Sequence, residues 1–238
     1  AVTDQKRAHA EAIHEFYKNK KDTPMMGGIL IVASVIASVL LWGNLTNRFV
    51  WLMVVVTLWF GFVGCFDDWL KMRQGNASGL NSLAKLSGQV LVGLAIGVYL
   101  YFDPSFSKWL YVPLLKKAVL YLGIFFIPFV ILVLAGSSNA LNLTDGLDGL
   151  AIGCTMFTTT AFAVIAYVTG HADFASYLQI QYLPEAGELT VFCAALAGAS
   201  AGFLWFNSYP AEVFMGDTGS LSIGGAIGTI AVLTKKEI

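Results

Sequence analysis

The chain is organised around the stretch Asn139-Ala140-Leu141-Asn142-Leu143-Thr144-Asp145-Gly146-Leu147-Asp148-Gly149, which lies between two long apolar runs. The stretch places two amides, two carboxylates and a hydroxyl among neighbours that are mostly Leu, Ile, Val and Phe. Ionisable groups at a membrane boundary are costly unless they bind something. The pattern therefore predicts a functional site between two membrane-spanning helices.

The composition is typical of an integral membrane protein. Hydrophobic residues make up 57% of the 238 residues and charged residues 12%, which lies outside the usual range of soluble domains. The net charge of −1 says little about partners, and we expect no nucleic-acid partner. Cys65, Cys154 and Cys193 lie inside apolar runs without metal-ligand spacing, so we expect small buried side chains and no disulfide.

Seven apolar runs of about 14 to 20 residues follow one another, and most approach the length that a helix needs to cross a bilayer. A backbone in lipid must satisfy its own hydrogen bonds and period-two alternation is absent, so the runs predict helices and not barrel strands. We therefore expect an all-α integral membrane protein, a polytopic transmembrane helix bundle that forms one domain over residues 1–238. Pro128 is expected to kink the fourth helix. The runs cover residues 25–42, 49–66, 86–102, 118–138, 150–169, 189–206 and 219–234.

Alternate crossings of the membrane place three polar connections on the same side. These connections hold residues 67–71, residues 139–149 and residues 207–220, whereas the opposite connections contain no tight polar cluster. The side with the polar connections also carries a modest excess of Lys and Arg. This excess points the polar side to the cytoplasm.

The first polar connection ends a helix with the adjacent carboxylates Asp67 and Asp68, followed by Lys71. A solvated helix end with an Asp67–Lys71 pair would explain this pattern structurally. Two adjacent like charges also repel each other, and a bound cation or a transferable proton would relieve that repulsion. Both interpretations stay open for this cluster alone.

The other two connections also admit a structural explanation. Thr144 or Asp145 could cap the next helix, and Asp217 could cap the last one. Such caps leave Asn139 and Asn142 without a role. A loop with donors, acceptors and bare glycine backbone at a helix N-terminus suits a nucleotide or phosphates.

Together the three connections hold five carboxylates, the hard oxygen ligands that suit Mg²⁺ or Mn²⁺. Lysines beside such a metal would hold phosphate charge, as phosphoryl transfer requires. The sequence lacks a GxxxxGK[ST] loop and an HExxH motif, which excludes a P-loop ATPase and a zinc protease. A transporter would spread its carboxylates over both halves of the membrane, and a lipid-binding scaffold is a non-catalytic alternative. The charged residues are Asp67, Asp68, Asp145, Asp148 and Asp217, with Lys20, Lys71 and Lys85 as counter-charges.

These clusters closely resemble those of the polyprenyl-phosphate N-acetylhexosamine-1-phosphate transferases, in order and over nearly the whole chain. The resemblance rests on Asp67-Asp68 with Lys71, on residues 139–151, and on residues 203–207 and 214–220. Within that family, Pro210-Ala211-Glu212 and residues 23–28 favour the muramoyl-pentapeptide branch over the N-acetylglucosamine branch.

The resemblance implies Mg²⁺-dependent transfer of phospho-MurNAc-pentapeptide from UDP-MurNAc-pentapeptide to undecaprenyl phosphate, giving lipid I and UMP. It implies a multi-pass protein of the bacterial inner membrane that works in peptidoglycan synthesis, and it leaves a homodimer open. A sister enzyme that uses UDP-GlcNAc is the closest alternative.

The resemblance also implies roles for individual residues. Asp67, Asp68 and Asp217 would be catalytic: Asp217 would hold the metal, and the adjacent pair would serve the lipid phosphate, one of them as its base. Direct attack and a covalent aspartyl intermediate both stay open. The implied substrate-binding residues are Lys20, Lys71, Lys85, Asn142, Asp145, Gly146, Leu147, Asp148, Asn207 and Phe214, with Phe214 stacked on uracil and Lys71, Lys85 and Asn207 near phosphates or the metal.

The chain departs from the family in two respects. Asp22 stands where the family has Gly, and Met25 stands where it has Thr. The family also has about ten spans and a later histidine-rich cytoplasmic loop, which this chain ending at Ile238 does not contain. We therefore expect it to lack an initial span and the C-terminal part.

Overall fold

The computed structural model describes residues 23–74, 79–111 and 118–237. Helices dominate these residues, and a two-stranded antiparallel hairpin joins two of them. Short 3₁₀ turns at Gly123–Phe125 and Pro184–Glu188 lead into the helices that follow them. The elements are α1 (Gly28–Trp42), α2 (Arg48–Gln74), α3 (Ser82–Phe102), β1 (Trp109–Tyr111), β2 (Ala118–Tyr121), α4 (Phe126–Thr144), α5 (Leu150–Gly170), α6 (Ala172–Leu178), α7 (Leu189–Asn207) and α8 (Gly216–Leu233).

Each of the seven predicted apolar runs contains a helix, so the prediction of a helical membrane protein is confirmed. In the described residues, five helices are long and apolar enough to cross a membrane, namely α2, α3, α4, α5 and α7. Helix α1 is apolar but shorter, and α8 is buried along almost its whole length. Helix α8 packs mainly against α2 and α4, which makes it the centre of the bundle.

Two predicted boundaries were wrong where a helix meets polar residues. Helix α2 continues beyond residue 66, so the Asp67–Asp68 pair lies on the helix and not in a connection. Helix α4 begins at Phe126 instead of residue 118 and continues through Asn139 to Thr144. Asn139 can remain helical because its amide exchanges hydrogen bonds with the buried amide of Gln89 on α3, at 2.7 and 3.1 Å.

The start of the fourth run forms a strand instead of a helix. Residues Leu110 and Trp109 pair with Leu120 and Tyr121 of β2, and β-branched and aromatic side chains favour such pairing. Gly123 then turns the chain with a φ of 51° before α4 begins. Pro128 consequently lies in the first turn of α4, where its missing N–H is tolerated and no kink is required.

The prediction that all three cysteine side chains are buried was correct for Cys193 only. Cys193 is buried, whereas Cys65 is half-buried and Cys154 is exposed on the surface of the protein. The outer face of a membrane helix is as apolar as its packed face, so apolar neighbours in the sequence do not establish burial inside the protein.

An ion-pair network closes the end of the bundle at which α2 begins. The Arg48 guanidinium donates from Nε to Glu185 Oε2 at 2.6 Å and also pairs with Asp103. These contacts tie the start of α2 to the end of α3 and to the turn before α7. The other ends of these helices carry the predicted site residues Asp67, Asp68, Lys71, Lys85 and Asn207.

Glycines let α8 approach its neighbours backbone to backbone. A Cβ added at Gly64 of α2 would lie 2.2 Å from the carbonyl oxygen of Asp217, and one added at Gly28 would lie 2.2 Å from the amide nitrogen of Gly219. Real side chains do not tolerate such distances, so these glycines fix how closely α1 and α2 reach the start of α8.

We expect Gly64→Ala to lower the free energy of unfolding by about 1–3 kcal/mol, because the methyl group must push the α2 and α8 backbones apart. Thermal unfolding of the purified protein in detergent measures this loss. Gly136→Ala is the matched control, since Gly136 has nothing within 4 Å of an added Cβ. Equal melting temperatures for the two variants would contradict the close approach.

Candidate active site

Three carboxylates from two helices meet at one end of the bundle. Asp67 and Asp68 lie in the last turns of α2, and Asp217 lies in the first turn of α8. Oxygen atoms of the three groups lie within 4.8 Å of one another. Asp67 is 0% exposed and Asp68 is 2% exposed, so the cluster is held inside the protein and not on a solvated helix end.

Two lysines share these carboxylates. The Lys71 Nζ lies 2.6 Å from Asp67 Oδ2 and 3.1 Å from Asp217 Oδ1. The Lys85 Nζ, from the first turn of α3, lies 2.5 Å from Asp217 Oδ2 and 3.0 Å from Asp67 Oδ2. Three carboxylates against two ammonium groups leave the cluster with a negative charge that a cation would balance.

The oxygens of Asp68 are occupied by the backbone at the start of α8. Oδ1 accepts the N–H of Asp217 at 3.1 Å. Oδ2 accepts both the N–H of Thr218 at 2.9 Å and its hydroxyl at 2.8 Å. Asp68 therefore caps α8 from a neighbouring helix.

Asp67 has a different environment. Its Oδ1 accepts the N–H of Leu80 at 2.6 Å. Its buried Oδ2 forms ion pairs with Lys71 Nζ at 2.6 Å and with Lys85 Nζ at 3.0 Å. Three carboxylates whose oxygens lie this close together fit the oxygen-rich coordination that Mg²⁺ prefers.

A backbone ladder joins residues 24–28 to the loop before α8. Phe214 donates its N–H to the carbonyl of Pro24 at 2.9 Å, and Gly27 donates its N–H to the carbonyl of Phe214 at 2.9 Å. Gly28 continues the ladder to Met215 at 2.8 Å. Since the backbone makes these bonds, they do not depend on Met25, whose side chain is exposed.

The central stretch makes a turn that differs from the predicted helix start. Thr144 donates its hydroxyl to the carbonyl of Ala140 inside α4, and Asp145 closes that helix at its C-terminal end. Helix α5 begins after Gly149, which has a φ of 75° and no side chain with which to cap the helix. The structural explanation that Thr144 or Asp145 caps the next helix is therefore wrong, because Gly149 occupies the cap position and adopts the left-handed conformation that the turn requires.

Both amides of the central stretch have structural partners that the sequence did not reveal. Asn139 pairs with Gln89, as described above, and Asn142 donates from Nδ2 to the Ser220 hydroxyl of α8 at 2.8 Å. Asn142 thus lies beside the start of α8, where the carboxylate cluster is. Gln89, Ser220 and Thr218 are the residues that the sequence analysis did not single out, since their partners lie far away in the chain.

Asn207 and Asp148 join the central turn to the loop that follows α7. Asn207 Oδ1 accepts the N–H of Gly149 at 3.1 Å, and its Nδ2 donates to the carbonyl of Val213 at 2.9 Å. Asp148 Oδ2 accepts the N–H of Ala211 at 3.4 Å. Both ends of the buried Asn207 amide are therefore committed to backbone, whereas its predicted contact with phosphates stays a prediction.

Three of the remaining predicted residues are at least partly exposed. Gly146 and Leu147 are exposed, and Phe214 is half-buried beside the backbone ladder. Lys20, which the resemblance assigns to the donor, lies outside the described residues. The arrangement combines a buried charged cluster with an exposed turn next to it.

Burial raises the pKa of Asp145 to about 7, and the negative charges of Asp217 and Asp68 add to this rise. An unfolded chain would ionise the same group near its ordinary pKa of 3.8. The folded protein therefore holds one more proton between about pH 4 and pH 7, and its stability falls as the pH rises through that window.

We expect Asp145→Asn to remove this pH dependence. We compare the free energies of unfolding of the natural protein and the variant without divalent cations. Relative to the variant, the natural protein should lose roughly 2–4 kcal/mol between pH 4 and pH 7, and the difference should then stay constant. Thermal unfolding in EDTA at pH 4, 5, 6, 7 and 8 measures the difference. Parallel curves for the two proteins would show that Asp145 ionises normally.

Comparison with known proteins gives two findings. The sequence profile described as glycosyl transferase family 4 matches residues 50–235. A phospho-N-acetylmuramoyl-pentapeptide-transferase of Thermodesulfovibrio yellowstonii is 52% identical over 221 residues, which is 92% of this chain and 61% of the relative. The protein of the same name in Citrifermentans bemidjiense is 50% identical over 224 residues, 94% of this chain and 63% of the relative.

A third relative of that name, from Solidesulfovibrio magneticus, is 49% identical over 229 residues, or 95% of this chain and 64% of the relative. The chain thus spans somewhat less than two thirds of the length of these relatives. The matched region includes the three carboxylates and both lysines, since the family profile covers residues 50–235.

Proposed function

Since the chain belongs to glycosyl transferase family 4, we propose that it transfers phospho-MurNAc-pentapeptide from UDP-MurNAc-pentapeptide to undecaprenyl phosphate in peptidoglycan synthesis. The products are lipid I and UMP. The relatives described above are similar to this chain over most of its length, and their names specify a phospho-N-acetylmuramoyl-pentapeptide-transferase. This similarity supports the choice of donor.

The observation that carries the proposal is the convergence of Asp67, Asp68 and Asp217 with Lys71 and Lys85. Phosphoryl transfer depends on positioning and on neutralising phosphate charge. A bound Mg²⁺ would neutralise charge on the diphosphate and polarise the bond that breaks. Asp217 would hold this ion, and the two lysines would face the remaining phosphate oxygens.

In the proposed reaction, an oxygen of the lipid phosphate forms a bond to the phosphorus that bears the sugar. The bond from that phosphorus to the bridging oxygen breaks, and the bridging oxygen leaves with UMP. A phosphate nucleophile is already anionic near neutral pH, so positioning of the two substrates contributes more to catalysis than removal of a proton from the nucleophile. Asp67 would accept any proton still on the lipid phosphate, since its Oδ2 lies beside the two lysines that would face the phosphates.

The donor's nucleoside would lie against the exposed turn of the central stretch. Gly146 and Leu147 are exposed there, and Asp145 and Asp148 supply oxygens. Phe214 would stack on uracil from the loop that the ladder to Pro24 and Gly27 holds in place. We assign Lys20 to the same subsite.

The site would face the cytoplasm of a bacterial cell. The donor is water-soluble and the acceptor is a membrane lipid, so the reacting phosphates must meet where a helix bundle reaches the membrane surface. The modest excess of Lys and Arg on the side of the carboxylate cluster supports this orientation.

A competition between donors tests the proposed substrate. Full-length protein in vesicles with undecaprenyl phosphate and Mg²⁺ is given UDP-MurNAc-pentapeptide and UDP-GlcNAc at equal concentration, and the lipid products are analysed by mass spectrometry. We expect lipid-linked MurNAc-pentapeptide. A product that carries N-acetylglucosamine would instead identify the sister activity, and a complete lack of lipid-linked sugar would contradict both transferase assignments.

A further inference from the structure

The two adjacent carboxylates of α2 have different partners, although the sequence presents them as an equivalent pair. We propose that Asp68 is a positioning residue that fixes Asp217 at the start of α8. This assignment rests on the function proposed above, which gives Asp67 the contact with the reacting phosphates.

The hydrogen bonds of Asp68 leave it little capacity for a substrate or a metal ion. It accepts two backbone N–H groups and one hydroxyl, all from Asp217 and Thr218 and all within 3.1 Å. Its nearest lysine nitrogen, Lys71 Nζ, lies at 3.7 Å, compared with 2.6 Å for the contact of the same atom with Asp67. A 2% exposed carboxylate with three such bonds is a structural acceptor.

The bonded groups are those that determine where the Asp217 side chain points. The first N–H groups of a helix have no partner inside that helix. Asp68 satisfies two of them in α8, and its negative charge also suits the positive end of the helix. Gly216 enters the helix with a φ of 75°, and an added Cβ there would lie 2.8 Å from Asp68 Oδ2. Asp68, Gly216 and Asp217 therefore form one tightly fitted turn.

The partners of Asp67 are different, because one of its oxygens contacts lysines and not the backbone of α8. Its Oδ1 is bonded to the N–H of Leu80, whereas its Oδ2 lies between the Lys71 and Lys85 ammonium groups that also contact Asp217. Oδ2 is therefore part of the charged cluster where phosphate groups would bind. Loss of Asp67 should remove a group that acts on substrate, and loss of Asp68 should misplace Asp217.

Cation binding separates the two roles. Mn²⁺ binding to full-length protein is measured by electron paramagnetic resonance, and transfer is measured against Mg²⁺ concentration, for Asp68→Asn, Thr218→Val and Asp67→Asn. We expect Asp68→Asn to weaken Mn²⁺ binding by about 10–100-fold, the usual effect of losing a residue that orients a metal ligand. Raised Mg²⁺ should then restore much of its transfer rate.

Thr218→Val removes only the hydroxyl that donates a hydrogen bond to Asp68. It should therefore weaken Mn²⁺ binding and raise the Mg²⁺ requirement of transfer by roughly threefold. Asp67→Asn should bind Mn²⁺ nearly as the natural protein does, yet stay slow at saturating Mg²⁺. The assignment is overturned if Asp68→Asn and Thr218→Val both bind Mn²⁺ normally. Should Asp68→Asn fail to fold, Thr218→Val still decides. Should the natural protein show no transfer, the proposed function fails, and the Mn²⁺ measurements still test the positioning of Asp217.

Discussion

Asp217→Asn is expected to lower the rate of transfer by roughly 10³-fold or more, the largest loss that we predict for a single change. The carboxylate of Asp217 is the proposed ligand of the divalent cation and contacts both lysines of the cluster. Asparagine keeps the size of the side chain and removes its charge. Initial rates of UMP release from full-length protein in vesicles measure the effect.

Asp173→Asn is the control for this variant. Asp173 lies in the first turn of the short helix α6, away from the carboxylate cluster, and its replacement should leave the rate of transfer unchanged. Equal thermal stability of Asp217→Asn and the natural protein would exclude a folding defect. A folded Asp217→Asn variant with more than a tenth of the natural rate would contradict the assigned metal ligand.

Lys85→Gln is expected to lower the rate by about 10²-fold, because a fixed positive charge that faces phosphate oxygens is lost. The same change should not weaken binding of the divalent cation. The ammonium group lies 2.5 Å from Asp217 Oδ2, so it competes with a cation for that carboxylate. Initial rates, together with the Mg²⁺ concentration that gives half of the maximal rate, measure both effects.

Lys108→Gln provides the comparison for this prediction. Its ammonium donates to the carbonyl of Asp103 at the end of the bundle opposite the site, so the rate should stay unchanged. If Lys85→Gln raised the Mg²⁺ requirement several-fold instead of leaving or lowering it, Lys85 would be supporting the metal ion and not the phosphates.

The helices and the shared face of the site could be predicted from the sequence because lipid imposes strong rules. A membrane-crossing backbone must bond to itself over a long apolar segment, so the apolar runs indicate the helices directly. Alternation of crossings then placed Asp67, Asp68 and Asp217 on one face before any contact was known. The structure brings their oxygens within 4.8 Å of one another.

The helix ends could not be predicted, because they depend on partners that are distant in the chain. Asn139 looked like a break in an apolar helix, yet Gln89, fifty positions earlier, bonds to its amide. The cap of α8 is equally remote, since Asp68 lies 150 positions before Thr218. A local pattern made Asp68 look equivalent to Asp67, and only the folded chain separates them.

The two-stranded hairpin was missed for a related reason. Ala118 to Tyr121 are apolar and continuous with the fourth run, so length and hydropathy favoured a helix. These residues form a β-strand instead, because they pair with Trp109–Tyr111. Apolar periodicity alone does not distinguish a short strand from the first turn of a buried helix.

Transfer at the carboxylate cluster is tested by measuring UMP release by full-length protein in vesicles, with and without undecaprenyl phosphate, in Mg²⁺ and then in excess EDTA. We predict that UMP appears from UDP-MurNAc-pentapeptide only when the lipid phosphate and a divalent cation are both present, in a one-to-one ratio with the lipid product. UMP release that persists in EDTA, or without the lipid phosphate, would contradict transfer at a metal-bearing carboxylate cluster.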